Sequence, residues 1–147
     1  MRVSKAMTPD VQVANPNQSI QEAAKMMAAI DAGVLPVGEN DRLVGMITDR
    51  DIAVRAVARG LSPNTKVRDV MSHDGVMYCF DDEEIEEVAH NMADIKVRRL
   101  PVLNRNKHLV GIISLGDLSK KEDPAVTAKA VSNISKRGGK HSTAPTA

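Results

Sequence analysis

Two short runs place a hydroxyl and a carboxylate three residues apart, directly after an apolar stretch. They are Gly45-Met46-Ile47-Thr48-Asp49-Arg50-Asp51 and Gly111-Ile112-Ile113-Ser114-Leu115-Gly116-Asp117. In each, the hydroxyl stands where a helix would start, and unpaired N–H groups at a helix start attract phosphate. A carboxylate repels phosphate but accepts two hydrogen bonds from a ribose cis-diol. Glycine in the preceding strand lets backbone approach a flat base closely. Met46, Ile47, Ile112 and Ile113 supply apolar surface for the base faces. The runs therefore read as nucleotide cradles. Thr48-x-x-Asp51 and Ser114-x-x-Asp117 are also capping boxes in form, worth about 0.5–2 kcal/mol of stability. One helix end can be both a cap and a sugar ligand.

These runs recur because the chain contains one unit twice. Met7-Thr8 returns as Met71-Ser72 at an offset of 64, Val34–Val37 as Arg99–Val102 at 65, and Leu43–Thr48 as Leu109–Ser114 at 66. Loops absorb such small drifts cheaply. Each unit reads as strand, helix, strand, strand, helix. In the first, Val11 and Val13 alternate as a strand, and Ser19 with Glu22 forms a capping box. Ile20, Ala23, Ala24, Met27 and Ile30 make one apolar helical stripe, which Gly33 ends in a left-handed conformation. Strands at Val34–Val37 and Leu43–Thr48 flank a turn at Glu39-Asn40-Asp41. A second helix then runs from Asp49 to Arg59 and stops at Gly60. In the second unit, Val76, Tyr78 and Phe80 alternate as a strand, and Asp81 with Glu84 caps a helix lined by Ile85, Val88, Ala89 and Met92. Strands Arg99–Leu103 and Leu109–Ser114 and a short helix at Leu115–Lys120 complete it. The fold expected is α+β, with repeats at 3–60 and 66–120 joined by a linker at 61–65. In the tail, 121–147, Pro124–Ile134 reads as a helix, and the Gly/Ser/Thr/Pro-rich end beyond Gly138 as disordered.

Composition narrows the classes. The 147 residues hold 20 Lys plus Arg against 19 Asp plus Glu, a formal net charge of +1. Residues 120–147 carry +4 and the rest −3, a mildly acidic body with a basic tail. That balance does not suit a nucleic-acid binder, and Tyr78 and Phe80, the only aromatics, provide no base-stacking platform. Cys79 is the lone cysteine, so no intrachain disulfide forms and a cytoplasmic setting is expected. Neither a secretory h-region nor a membrane-spanning apolar run is present.

The ordered, doubled set of Leu-Pro-Val strands and Gly-h-h-Thr/Ser-x-x-Asp runs (h, apolar) resembles a tandem pair of CBS domains, named after cystathionine β-synthase. The resemblance covers Val3 to Ser119. It implies a Bateman module: two pseudo-twofold-related repeats with two clefts that bind adenine nucleotides, or S-adenosylmethionine in some relatives. By resemblance Asp51 and Asp117 hold ribose hydroxyls, Thr48 and Ser114 face phosphate, and the strands beginning at Val11 and Val76 present backbone to adenine. Arg99 stands where some relatives place a phosphate-binding basic residue, whereas the first repeat has Val34. Arg50 marks the first helix start, and the second has Gly116. The two sites are therefore expected to differ, with Ile47 and Ile113 against the bases. The resemblance also implies a homodimer touching through the second helices.

Other chemistry finds less support. His73, His90, His108 and His141 lack metal-ligand spacing, Cys79 reads as a core residue, and the acidic run Asp81–Glu84 suits a helix N-terminus. The methionines read as core filler. No triad or metal-carboxylate set is recognisable, so the chain is read as non-enzymatic and without a required cofactor. The reading is of a stand-alone regulatory, energy-sensing module that binds an AMP-, ADP- or ATP-type ligand and signals through an unidentified protein partner. The alternatives are an S-adenosylmethionine sensor, a protein-interaction module with vestigial clefts, and a nucleic-acid contact through the basic tail.

Overall fold

The computed structural model describes residues 1–95 and 98–119. They form an α+β chain divided into two units. One unit is Gln12–Val76, and the other joins Met1–Val11 to the described residues from Met77 onward. Each repeat's lead-in, Met7-Thr8 or Met71-Ser72, thus sits with the strands and helices of the other repeat.

In the Gln12–Val76 unit, helix α2 (Ile20–Ile30) starts where Ser19 accepts the Glu22 N–H, as the spacing predicts. Ile20, Ala23 and Met27 are buried beneath it, while Ala24 and Ile30 remain exposed. The helix ends earlier than Gly33. Asp31 adopts the left-handed conformation at φ 53°, ψ 49°, a region that Asp tolerates better than most side chains. Strands β2 (Val34–Glu39) and β3 (Arg42–Thr48) pair as an antiparallel hairpin. Asn40 and Asp41 turn it, both at positive φ (54° and 61°), as a tight hairpin turn requires. Helix α3 (Asp49–Asp51) continues as a π-helix over Ile52–Ala56 and a 3₁₀ turn over Val57–Arg59. Gly60 closes it at φ 72°. The expected linker is docked: Thr65 and Pro63 carbonyls accept the Ile20 and Gln21 N–H groups. Val67 and Val70 beyond it join the core of Leu35, Val37, Ile47 and Ala56.

The other unit repeats the plan with a longer sheet. Helix α1 (Val3–Ala6) and strand β1 (Thr8–Pro9) precede β4 (Cys79–Phe80), α4 (Ile85–Ile95), β5 (Arg99–Leu103), β6 (Leu109–Ser114) and α5 (Leu115–Ser119). The strand order is β1-β6-β5-β4, with β4 parallel to β5 and the other pairs antiparallel. In the Gln12–Val76 unit the outer strands shrink to single bridges: Met46 pairs with Ser72 and Ala14 with Val37. The stripe Ile85, Val88, Ala89 and Met92 is buried with Leu100, Val102, Ile113 and Leu118.

Four expectations are corrected. Val11 and Val13 do not form a strand; only Ala14 bridges, to Val37, and Pro16, which has no N–H, ends any continuation two residues on. The strand read at Val76–Phe80 is confined to Cys79 and Phe80, and Tyr78 is exposed. Helix α4 starts at Ile85, so Glu84 and not Asp81 precedes its first turn. The acidic run has other partners there: Glu83 accepts the Phe80 N–H, Glu84 pairs with the N-terminal amine at 2.9 Å, and the two oxygens of Asp82 accept from Arg105 Nε and Nη2, each at 2.8 Å. That guanidinium holds the Asp82 carboxyl below its usual range. The fourth correction is the helix end at Asp31 described above. The tail helix and disordered end read from the sequence lie outside the described residues. Among the described residues, no helix is long and apolar enough to cross a membrane.

Candidate functional site

Each β-hairpin ends in a helix start, and the two junctions have the same geometry. Thr48 is the N-cap of α3: its hydroxyl accepts the Asp51 N–H at 3.0 Å, and the Asp51 Oδ2 accepts the Thr48 N–H at 3.0 Å. In the second repeat the Ser114 hydroxyl accepts the Asp117 N–H at 3.1 Å, and the Asp117 Oδ2 accepts the Ser114 N–H at 3.0 Å. The capping reading of these residues is thus realised in both copies. Each carboxylate gives one oxygen to the cap. The other oxygen, Oδ1, takes no part in the cap.

The environments of the carboxylates differ. Asp51 is 6% exposed, and its Oδ1 lies 3.7 Å from Arg55 Nε, one turn along the helix. Asp117 is half-buried, and among the described residues its Oδ1 has no ion-pair partner. The hairpin registers set a second difference. Val34 is paired with Thr48, whereas Arg99 is paired with Ser114. The second junction thus has an exposed guanidinium-bearing residue across from its hydroxyl, and the first has a valine. Arg50 is exposed, and its N–H donates to Asp49 Oδ1 at 2.8 Å.

Ile47 and Ile113 have no exposed surface and belong to the two cores, so neither offers a face to a base. They are the inward residues of their strands. Met46 is also buried, which leaves Ile112 as the one partly exposed member of the apolar set. The glycines have a purpose not read in the sequence. A Cβ on Gly45 would stand 2.7 Å from the Ser72 carbonyl oxygen, and one on Gly111 would stand 2.8 Å from the Thr8 carbonyl oxygen. They admit the lead-in segment of the other repeat. Sequence reading missed this because those partners lie far away along the chain. Val11 consequently falls in the unit of Ser114 and Asp117, and Val76 in that of Thr48 and Asp51.

Arg55 was not singled out by any motif; only its spacing of four from Asp51 could have signalled it. Beside the first junction a hollow of about 340 Å³ is lined by Met27, Ile52 and the exposed Asp31 and Asp49, among others. Its two carboxylates make it repellent to phosphate, so it is not the anion-facing side of the junction. Among the described residues, no group of three His, Cys, Asp or Glu side chains is placed to hold a metal ion. Cys79 is buried, and burial, with Glu83 and Asp81 nearby, pushes its thiol up to about 12. It is a core residue and not a nucleophile.

Comparison with known proteins matches this architecture. The family model of the CBS domain matches twice, at residues 3–57 and 67–123. The CBS domain-containing protein YhcV of Bacillus subtilis is 41% identical over 134 residues, 90% of this chain and 94% of that protein. The CBS domain pair of protein MJ0100, solved with 5-methylthioadenosine and S-adenosyl-L-methionine, superposes with a TM-score of 0.71 at 29% identity, covering 82% of this chain and 94% of that one. CBSX2, solved in complex with AMP, gives a TM-score of 0.70 at 25% identity, covering 87% and 98%.

Proposed function

This chain belongs to the CBS domain family, and from that premise we propose that it is a non-enzymatic regulatory module whose two strand–helix junctions each bind the ribose and phosphate of an adenine nucleotide. The observation that carries the proposal is the doubled cap. In both copies a hydroxyl at a helix start is paired with a carboxylate that gives only one of its two oxygens to the cap. The other oxygen suits a ribose hydroxyl, and the hydroxyl with its helix N-terminus suits phosphate. The complexes of MJ0100 and CBSX2 support an adenosine ligand in general. AMP is our choice over S-adenosylmethionine because Arg99, opposite Ser114, favours a phosphate over a sulfonium. The repeat limits 3–60 and 66–120 remain our assignment of the two ligand-bearing halves.

Binding regulates through linkage: a ligand shifts an arrangement of the chain by no more than its differential affinity for the two states. We assign the output to protein association in the cytoplasm, with a second copy of this chain as the first candidate. Val54 and Val57, 48% and 68% exposed along the same helix, favour a dimer face. Calorimetric titration with AMP, ADP, ATP and S-adenosylmethionine tests the ligand, with Asp51→Asn and Asp117→Asn run in parallel. Saturable AMP binding that is lost site by site in the variants is the expected result. Flat titrations of folded protein with all four ligands overturn the reading, leaving both junctions as caps.

A further inference from the structure

Building on the adenosine reading of the first junction, we propose that Arg55 is a positioning residue of that site, acting through Asp51. Asp51 is buried at the helix start, and its Oδ2 is committed to the Thr48 N–H at 3.0 Å. Arg55 Nε lies 3.7 Å from the other oxygen. At that separation the charges attract, yet the distance is too long for a hydrogen bond, so the lone pairs of Oδ1 are not consumed. The guanidinium is itself held from the far side. Its Nη1 lies 3.4 Å from the Val70 carbonyl oxygen and 3.3 Å from the Ser72 hydroxyl.

Ser72 is an anchored partner. It is 6% exposed and exchanges two backbone hydrogen bonds with Met46, each 2.9 Å. Arg55 therefore spans from the helix start to the strand that passes over Gly45. Arg55 lies within the π-helical turn Ile52–Ala56, a winding concentrated at functional sites. A buried carboxylate is held in place by a neighbouring opposite charge. Arg55 supplies it without occupying the oxygen that a ribose hydroxyl would use. At the same spacing from Asp117 the sequence has Lys121, whose ammonium lacks the guanidinium fork, so the proposal concerns the first site alone.

The test is calorimetric titration with adenosine and with AMP in an Asp117→Asn background, so that the first site is read alone. If Arg55 works through Asp51, Arg55→Met and Arg55→Gln each weaken both ligands by the same factor, about tenfold. Arg55→Lys, which keeps the charge, recovers part of the loss. Combined with Asp51→Asn, Arg55→Met adds nothing further. Loss for AMP without loss for adenosine overturns the proposal and makes Arg55 a direct phosphate contact. Unchanged binding in both Arg55 variants overturns it as well. If the Asp117→Asn protein binds nothing while the unaltered chain binds AMP, this proposal falls and the adenosine reading survives at the second site. A flat titration of the unaltered chain overturns both.

Discussion

Gly45 and Ser72 approach so closely that a single methyl group on the glycine would stand 2.7 Å from the serine carbonyl oxygen. The carbonyl is backbone, and it is fixed by its ladder to Met46, so it cannot retreat cheaply. Gly111 stands in the same relation to Thr8, with 2.8 Å to that carbonyl oxygen. Gly45→Ala and Gly111→Ala are each expected to destabilise the fold by about 1–3 kcal/mol, the cost of overpacking a filled site. Urea denaturation checks this. A change below about 0.5 kcal/mol in both variants, the range of ordinary surface substitutions, would show that the strands separate freely.

The caps give an independent prediction. Thr48→Ala and Ser114→Ala each remove the acceptor for an N–H at the start of a helix. A loss of about 0.5–2 kcal/mol is expected for each by denaturant titration. Thr48→Ser and Ser114→Thr retain the hydroxyl and should recover most of it. Recovery of stability without recovery of AMP affinity would separate the cap from the phosphate contact.

The parts of the fold visible in the sequence are those fixed by neighbours in the chain. Ser19 and Glu22 cap α2 because they stand three positions apart, and the stripes of α2 and α4 bury most of the residues that helical spacing selects. The hairpins follow from apolar runs around Asn-containing turns. Pairings between distant segments leave no such trace. Thr8–Pro9 is a two-residue strand whose partner is Ile112-Gly111, and nothing local about Thr8 or Gly111 announces the other. For the same reason the close approach of Ser72 to Gly45 and of Thr8 to Gly111 is invisible in the local sequence. The local sequence also credits Ile47 and Ile113 to a base, since an apolar residue in a strand motif does not declare which face it occupies. Of the candidate site, the hydroxyl–carboxylate pairs and Arg99 were legible. Arg55 was not, because its significance depends on Ser72 arriving from the lead-in strand.

Asp31 carries two liabilities at the end of α2. It is in the left-handed region at φ 53°, and its negative charge sits at the helix C-terminus, where the helix dipole disfavours it. Asp31→Gly removes both and is expected to raise stability by about 1 kcal/mol. Thermal denaturation at neutral pH reads the shift, and Asp31→Asn, which keeps the left-handed tolerance and drops the charge, apportions it. A fall in stability with Gly would mean that the Asp31 carboxylate has a stabilising partner.

Cys79 sets a pH dependence. Its thiol is raised from 9.0 to about 12 by burial first and by Glu83 and Asp81 next. The folded state therefore holds the thiol proton more tightly than the unfolded chain does. The contribution to stability is full below pH 9.0 and is lost as the pH rises toward 12. Cys79→Ala, although it costs packing, should flatten stability over that window. In native protein at pH 8–9 the thiol is expected to react with a disulfide reagent far more slowly than in denaturant, in proportion to its small thiolate fraction (roughly a thousandth at three pH units below its pKa). Equal rates in the two states would place Cys79 at the surface.

The two junctions share their caps and differ in what stands across the hairpin, so they should not read phosphate equally. Val34 opposite Thr48 offers no donor, while Arg99 opposite Ser114 offers a guanidinium on the exposed end of β5. An arginine–phosphate contact in partly screened surroundings is worth about 1.5–3 kcal/mol, or roughly ten- to a hundredfold in affinity. Arg99→Ala is expected to cost the second site that factor for AMP and little for adenosine, measured by calorimetry in an Asp51→Asn background. The reciprocal change, Val34→Arg in an Asp117→Asn background, should strengthen AMP at the first site without altering adenosine. If Arg99→Ala weakens both ligands alike, Arg99 supports the sugar end and the phosphate lies elsewhere along the helix start. If neither ligand responds, Arg99 takes no part in the second site.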